Sequence, residues 1–140
     1  QIIQNRALRN VFEIDRYENR VHMYTHLVEN CIPIRAINYL NNASYIYNNI
    51  HNNIHTNIVI YKSKSNMRTR QSDKLIPAKY KTANGRKNVD AFGVNIFNSI
   101  PTEIQKMKHV KALKWTIKCH IRTESMMKIF LSNDYLKTFG

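Results

Sequence analysis

Glycine and proline occur only three times each in 140 residues. A β-sandwich or a loop-built domain needs such residues at its turns, so this chain can make few tight turns and must spend its length on helices. Its length is that of one domain, and 43% hydrophobic residues are enough for one modest core. The expected fold class is mostly α: a small helical domain with a short β-hairpin and a basic loop.

Apolar spacing places the elements. On a helical wheel Ile3, Ala7, Leu8, Val11 and Phe12 fill one half-turn, with Arg6 and Arg9 opposite. A second helix is expected over roughly 18–29, carrying Val21, Tyr24, Leu27 and Val28. Pro33 suits the first position of a third helix, which runs through Ile34, Ile37, Leu40, Ile46, Tyr47 and Ile50. Asn41, Asn42, Asn48, Asn49, Asn52 and Asn53 are poor helix formers, so its far end is expected to fray. Residues 58–61 are a short β-like run, and 62–74 form a polar, basic stretch without periodicity, read as a solvated loop. Asn84-Gly85, between 79–82 and 86–89, is a hairpin signal. Helix is expected to return at Asp90, with Phe92, Ile96 and Phe97 on one face and Ser99 and Pro101 as punctuation. Residues 109–122 read as an amphipathic helix with Val110, Leu113, Ile117 and Ile121 on its apolar stripe. A last helix over 124–139 carries Met127, Phe130, Leu131 and Leu136. Three segments result, 1–56, 57–89 and 90–140, in one domain whose outer helices pack together with the basic middle draped outside.

Charge is concentrated. The chain has 22 Lys and Arg against 9 Asp and Glu, a formal charge of +13. Residues 57–89 hold nine of those bases (Lys62, Lys64, Arg68, Arg70, Lys74, Lys79, Lys81, Arg86, Lys87) against the single acid Asp73. Such a charge favours a polyanionic partner, RNA or DNA first and an anionic membrane surface second. No stretch approaches the roughly 20 apolar residues of a membrane span, and nothing marks a signal peptide, so an intracellular protein of cytoplasm and nucleus is expected. Phosphate contacts are assigned to Lys79, Lys81, Arg86, Lys87, Lys111, Lys114 and Lys118, with Tyr61 and Tyr80 available to stack on bases. The plainer reading of the same residues is a solvated, solubilising surface. Trp115 beside the Lys111, Lys114, Lys118 and Arg122 stripe either stacks on a base or packs under a neighbouring element, the commoner fate of a tryptophan. For Arg6, Arg9, Arg16, Arg20 and Arg35, local ion pairs with Glu13, Asp15 and Glu18 are the preferred account.

Catalytic chemistry is not expected. Asp15, Asp73, Asp90 and Asp134 are isolated, whereas two-metal nucleotidyl transfer needs clustered carboxylates. No Gly-x-Ser-x-Gly and no glycine-rich phosphate loop occurs. His51 and His55 stand four apart without a third ligand nearby, so no metal and no cofactor are expected. Cys31 and Cys119 sit in apolar settings and read as two buried, reduced thiols.

Two short motifs add a resemblance. The chain opens in mid-helix, without an initiator Met, on Gln1-Ile-Ile-Gln-Asn-Arg-Ala-Leu-Arg9, and later reads Phe92-Gly-Val-Asn-Ile-Phe-Asn-Ser-Ile-Pro101 before a lysine-studded amphipathic helix. In that order they resemble the region after the polymerase core in non-LTR retrotransposon reverse transcriptases of the jockey type. The likeness covers the first thirty or so residues and 85–122; across 50–84 it lies only in basic, low-complexity character. Phe97 stands where that family often has Trp, and Ala112-Leu113-Lys114-Trp115 where it often has a Phe-Lys pair. The Tyr-x-Asp-Asp signature of the polymerase core is absent. The resemblance implies a non-catalytic piece of an RNA-directed DNA polymerase from a mobile element. It would follow the thumb and hold template RNA or target DNA, with the preceding polymerase domain as its second partner. The alternatives are a module that buttresses the thumb through apolar helix faces, or a decayed element fragment.

Overall fold

The structure, a computed structural model, describes residues 2–27, 31–51, 61–62, 74–132 and 135–139. The chain order is α1 (Ile2–Val11), α2 (Arg20–His22) running into a π-helical turn (Met23–Leu27), α3 (Ile34–His51), β1 (Tyr61–Lys62) and β2 (Leu75–Ile76). A 3-10 turn (Gly85–Lys87) and a second π-helical turn (Val89–Gly93) follow, then α4 (Val94–Ser99), α5 (Thr102–Gln105), α6 (Val110–Ile121), α7 (Glu124–Leu131) and α8 (Tyr135–Phe139). The mostly α expectation holds.

Helix α3 is the axis. Ala36, Tyr39, Leu40, Ala43, Ser44, Ile46 and Tyr47 are buried along it, and it packs against α4, α6, α7 and the second π-turn. The helices before and after the basic middle thus share one core, as their apolar spacing requires. Small Ala36 and Ala43 let partners close in, while Tyr39 meets Phe130 edge-on at 5.4 Å and Phe139 at 5.4 Å. Edge-to-face rings of this kind add about 0.5–1.5 kcal/mol beyond their buried area. Contrary to the expected fraying, α3 continues to His51. Its asparagines bond backward, Asn42 to the Asn38 carbonyl and Asn49 to the Tyr45 carbonyl, both at 2.9 Å, so the amides do not compete for the helix's own N–H groups. Residues 52 and 53 lie outside the described residues.

The apolar stripe of α6 behaves as its spacing demands, with Leu113, Ile117 and Ile121 fully buried. Arg35 on α3 donates to the Phe130 and Ser132 carbonyls at the end of α7, placing a cation where helix carbonyls lack partners.

Three placements differ from the sequence reading. The single helix expected over 124–139 is two, α7 and α8, with Ser132 bonding back to Lys128 and Ile129 as α7 closes. The antiparallel pair joins Tyr61 to Ile76 and Lys62 to Leu75, rather than folding around Asn84-Gly85. That dipeptide instead enters the 3-10 turn, where Lys87 N–H bonds to the Asn84 carbonyl and Asn88 N–H to the Gly85 carbonyl. The third difference is α1, whose apolar half-turn faces solvent except at Leu8, which is half-buried against the core: Ile3 is 83% and Val11 74% exposed, and Ala7 and Phe12 are exposed too. Besides Leu8, polar residues hold this helix. Gln4 donates to the Ile32 carbonyl at 2.9 Å and accepts from Ile34 N–H at 3.0 Å, capping the first turn of α3 from thirty residues away. Buried Asn5 accepts from the Tyr24 hydroxyl at 2.9 Å. The helix closes with Ile14 N–H on the Arg9 carbonyl and Glu13 at φ 51°, a Schellman end with glutamate in the usual glycine position.

The second motif is also structural. A Cβ at Gly93 would lie 3.1 Å from Val89 and 3.2 Å from the Asn42 side chain, so glycine allows the second π-turn to sit close on α3. Asn98 accepts from Leu75 N–H at 3.0 Å and donates to the Leu75 carbonyl at 2.8 Å. Ser99 Oγ meets the Tyr39 hydroxyl at 3.2 Å.

Candidate nucleic-acid interface

Lys79, Lys81, Arg86 and Lys87 are all exposed on one short segment between β2 and the second π-turn. Backbone bonds fix that segment. Ala78 N–H bonds to the Asp90 carbonyl at 3.1 Å, Arg86 N–H to the Thr82 carbonyl at 3.2 Å, and Gly85 N–H to the Thr82 hydroxyl at 3.1 Å. Tyr80 does not stand free for base stacking. Its ring lies where a Cβ on Gly85 would come within 2.8 Å, and its hydroxyl donates to the Asp90 carboxylate. That hydrogen bond also raises the Tyr80 phenol above its ordinary range. The Tyr61 side chain lies outside the described residues, as do residues 63–73 with Lys64, Arg68 and Arg70.

Lys111, Lys114 and Lys118 project from α6 and are exposed, as is Arg122 at its end. The two groups sit on different elements: the 3-10 turn packs on the second π-turn, whereas α6 packs on α3, α5 and α7. Among the described residues the ion pairs are His22–Glu18 at 2.8 Å and Lys128–Glu124 at 2.7 Å. All seven assigned bases are therefore without an acidic partner there.

Trp115 does not pack under a neighbouring element, the commoner of its two expected fates. It is 69% exposed and walls a cavity of about 340 Å³ with Lys118, Cys119 and Arg122, closed on the other side by Ile32 from the connection before α3. Among the described residues, no carboxylate lines this cavity.

A second concavity, about 490 Å³, lies between α1 and α2 and gathers Arg6, Arg9, Arg16 and Arg20 around Asn5, Glu18 and Asn19. The expected ion pairs of these arginines with Glu13, Asp15 and Glu18 do not form among the described residues. Arg9 donates to the Asp15 and Glu18 carbonyls and Arg16 to the Tyr17 hydroxyl. The Asp15 carboxylate accepts from Tyr17 N–H at 2.7 Å, and Glu18 pairs with His22. Asp15 and Glu18 are engaged by Tyr17 N–H and His22, and among the described residues the concavity is lined by four arginines and the one acid Glu18. The available signal was the use of Arg where Lys would serve for solubility.

The cysteines are free, Cys31 half-buried and Cys119 exposed, rather than buried as expected, because Cys119 faces outward on α6 beside Trp115. Among the described residues no three His, Cys, Asp or Glu side chains converge in a way that suits a metal ion, and His55 lies outside them. No helix of the described residues is long and apolar enough to cross a membrane. No protein-family model matches the chain, and comparison with curated proteins and with solved structures also found no match.

Proposed function

We propose that this chain is an accessory, non-catalytic nucleic-acid-binding segment of a non-LTR retrotransposon RNA-directed DNA polymerase, acting inside the cell on template RNA or target DNA. The observation that carries the reading is the set of seven exposed bases, Lys79, Lys81, Arg86, Lys87, Lys111, Lys114 and Lys118, none with an acidic partner among the described residues. Lysine and arginine in this state neutralise phosphates and release counterions, so affinity depends steeply on salt. The polymerase assignment rests on the two ordered motifs alone. A second reading, a module that buttresses the polymerase thumb, is favoured by the outward apolar face of α1, with Ile2, Ile3, Val11 and Phe12 exposed.

Binding of labelled RNA and DNA across a salt series tests the first reading. Engagement of six to ten phosphates predicts a loss of about 10³–10⁵ in affinity between 50 and 200 mM salt. Changing Lys79, Lys81, Arg86 and Lys87 together to Gln should flatten that slope. Absent or salt-independent binding overturns the nucleic-acid reading and leaves the apolar module, whose docking should barely respond to salt.

A further inference from the structure

We propose that the cavity between α6 and Ile32 is a stacking subsite for an unpaired nucleobase, which makes the preferred ligand single-stranded nucleic acid. The proposal rests on the nucleic-acid reading above and adds the strand state of the ligand, which phosphate contacts alone do not specify.

Lys118, Cys119 and Arg122 follow Trp115 at three, four and seven residues, so all of them fall on one side of α6. The opposite side buries Leu113, Ile117 and Ile121 and fixes the helix on the core. A large indole is thereby held by a rigid element yet kept out of the core. The pocket beside it has an aromatic wall, an aliphatic wall in Ile32, and cations from Lys118 and Arg122. A planar base fits between an indole and an aliphatic side chain, while the adjoining phosphates meet the cations. In a duplex the base faces are covered by their neighbours, so stacking of this kind selects unpaired strands. An acidic protein segment would also meet the cations, but it would leave the indole face without an aromatic partner.

Trp115 is the only tryptophan in the chain, so intrinsic fluorescence reports this site alone. The whole chain would be titrated with a mixed-sequence single-stranded oligonucleotide, with the duplex of the same sequence, and with heparin as a polyanion lacking bases. The expected result is saturable quenching and loss of iodide accessibility with the single strand, and neither change with heparin or duplex at equal occupancy. By anisotropy of a labelled oligonucleotide, Trp115→Ala should weaken single-strand binding about 5- to 150-fold, the range observed for loss of one base stack. Trp115→Phe should restore most of it. Circular dichroism of both variants should match the parent, because the removed side chain lies outside the core. Single-strand binding with unchanged Trp115 fluorescence, or equal quenching by duplex or heparin, overturns the subsite and leaves the phosphate-binding reading intact. Failure of every nucleic acid to bind overturns both.

Discussion

The two motif regions of this chain are held in opposite ways. In α1 most of the apolar half-turn points to solvent, with Leu8 alone of it against the core, and the helix is anchored by Gln4, Asn5 and Arg9 through hydrogen bonds to Ile32, Ile34, Tyr24, Asp15 and Glu18. In α4 and the turn before it, Phe92, Val94, Ile96 and Phe97 are buried, and Asn98 and Ser99 add polar clamps to an already packed face. Amphipathic spacing identifies a helix in both regions, but it identifies the inward face only where no distant backbone competes for the polar side. Polar anchoring is directional and local. Apolar burial is additive and spreads over the whole core.

The largest expected difference comes from deleting one aromatic ring on each side. Phe130→Ala removes a fully buried ring packed on Tyr39 and Tyr135 and should cost about 3–5 kcal/mol in denaturant unfolding. Phe12→Ala on exposed α1 should change stability by less than about 0.5 kcal/mol. Comparable losses at the two positions would mean that α1 is packed through its apolar face and would end the comparison.

Smaller effects test the clamps. Gln4→Ala and Asn98→Ala each remove a two-point hold on backbone groups and should each cost about 1–3 kcal/mol. The distinction lies in where the loss appears. Amide exchange should accelerate across α1 and the first turn of α3 in Gln4→Ala while the core stays protected, whereas Asn98→Ala should loosen β2 and α4. Uniform acceleration across the chain in Gln4→Ala would show that α1 is not a separately anchored unit.

The smallest effect concerns Tyr135, whose buried hydroxyl has no hydrogen-bond partner among the described residues. Burial first, then the neighbouring Tyr39 phenol, raises its pKa, against a lowering contribution from Arg35. The folded chain therefore keeps its proton after the unfolded chain loses one near pH 10, so stability is constant below that pH and falls above it. Tyr135→Phe should leave unfolding at pH 7 unchanged or slightly harder, and should lessen the loss between about pH 10 and 11. Tyr39, raised by the same burial, should keep part of that alkaline sensitivity. An unchanged alkaline loss in Tyr135→Phe would assign it wholly to other groups.

The α-rich class, α3 as a long helix and the buried stripe of α6 were legible because each follows from spacing within one segment. The face of α1 was not legible, since the partners of Gln4 and Asn5 lie 19 to 30 residues away. The arginine concavity was hidden by a related problem. Glu13, Asp15 and Glu18 stand near the arginines in sequence, but a turn's own N–H and a histidine claim two of the carboxylates first. Exposure of the seven bases could be expected from charge, whereas the division into two groups depends on how the 3-10 turn and α6 dock. The side of α6 that Trp115 occupies was legible; the cavity was not, because Ile32 comes from another segment.

One clamp has a bearing on how the protein behaves at high concentration. A two-stranded ribbon leaves a strand rim where another chain can add by main-chain pairing, the first step toward aggregates. Asn98 occupies both the N–H and the carbonyl of Leu75, so a side-chain amide stands in the position of a third strand. At that residue the β2 rim is closed from within, and a neighbouring molecule finds no free pair of backbone groups there to copy.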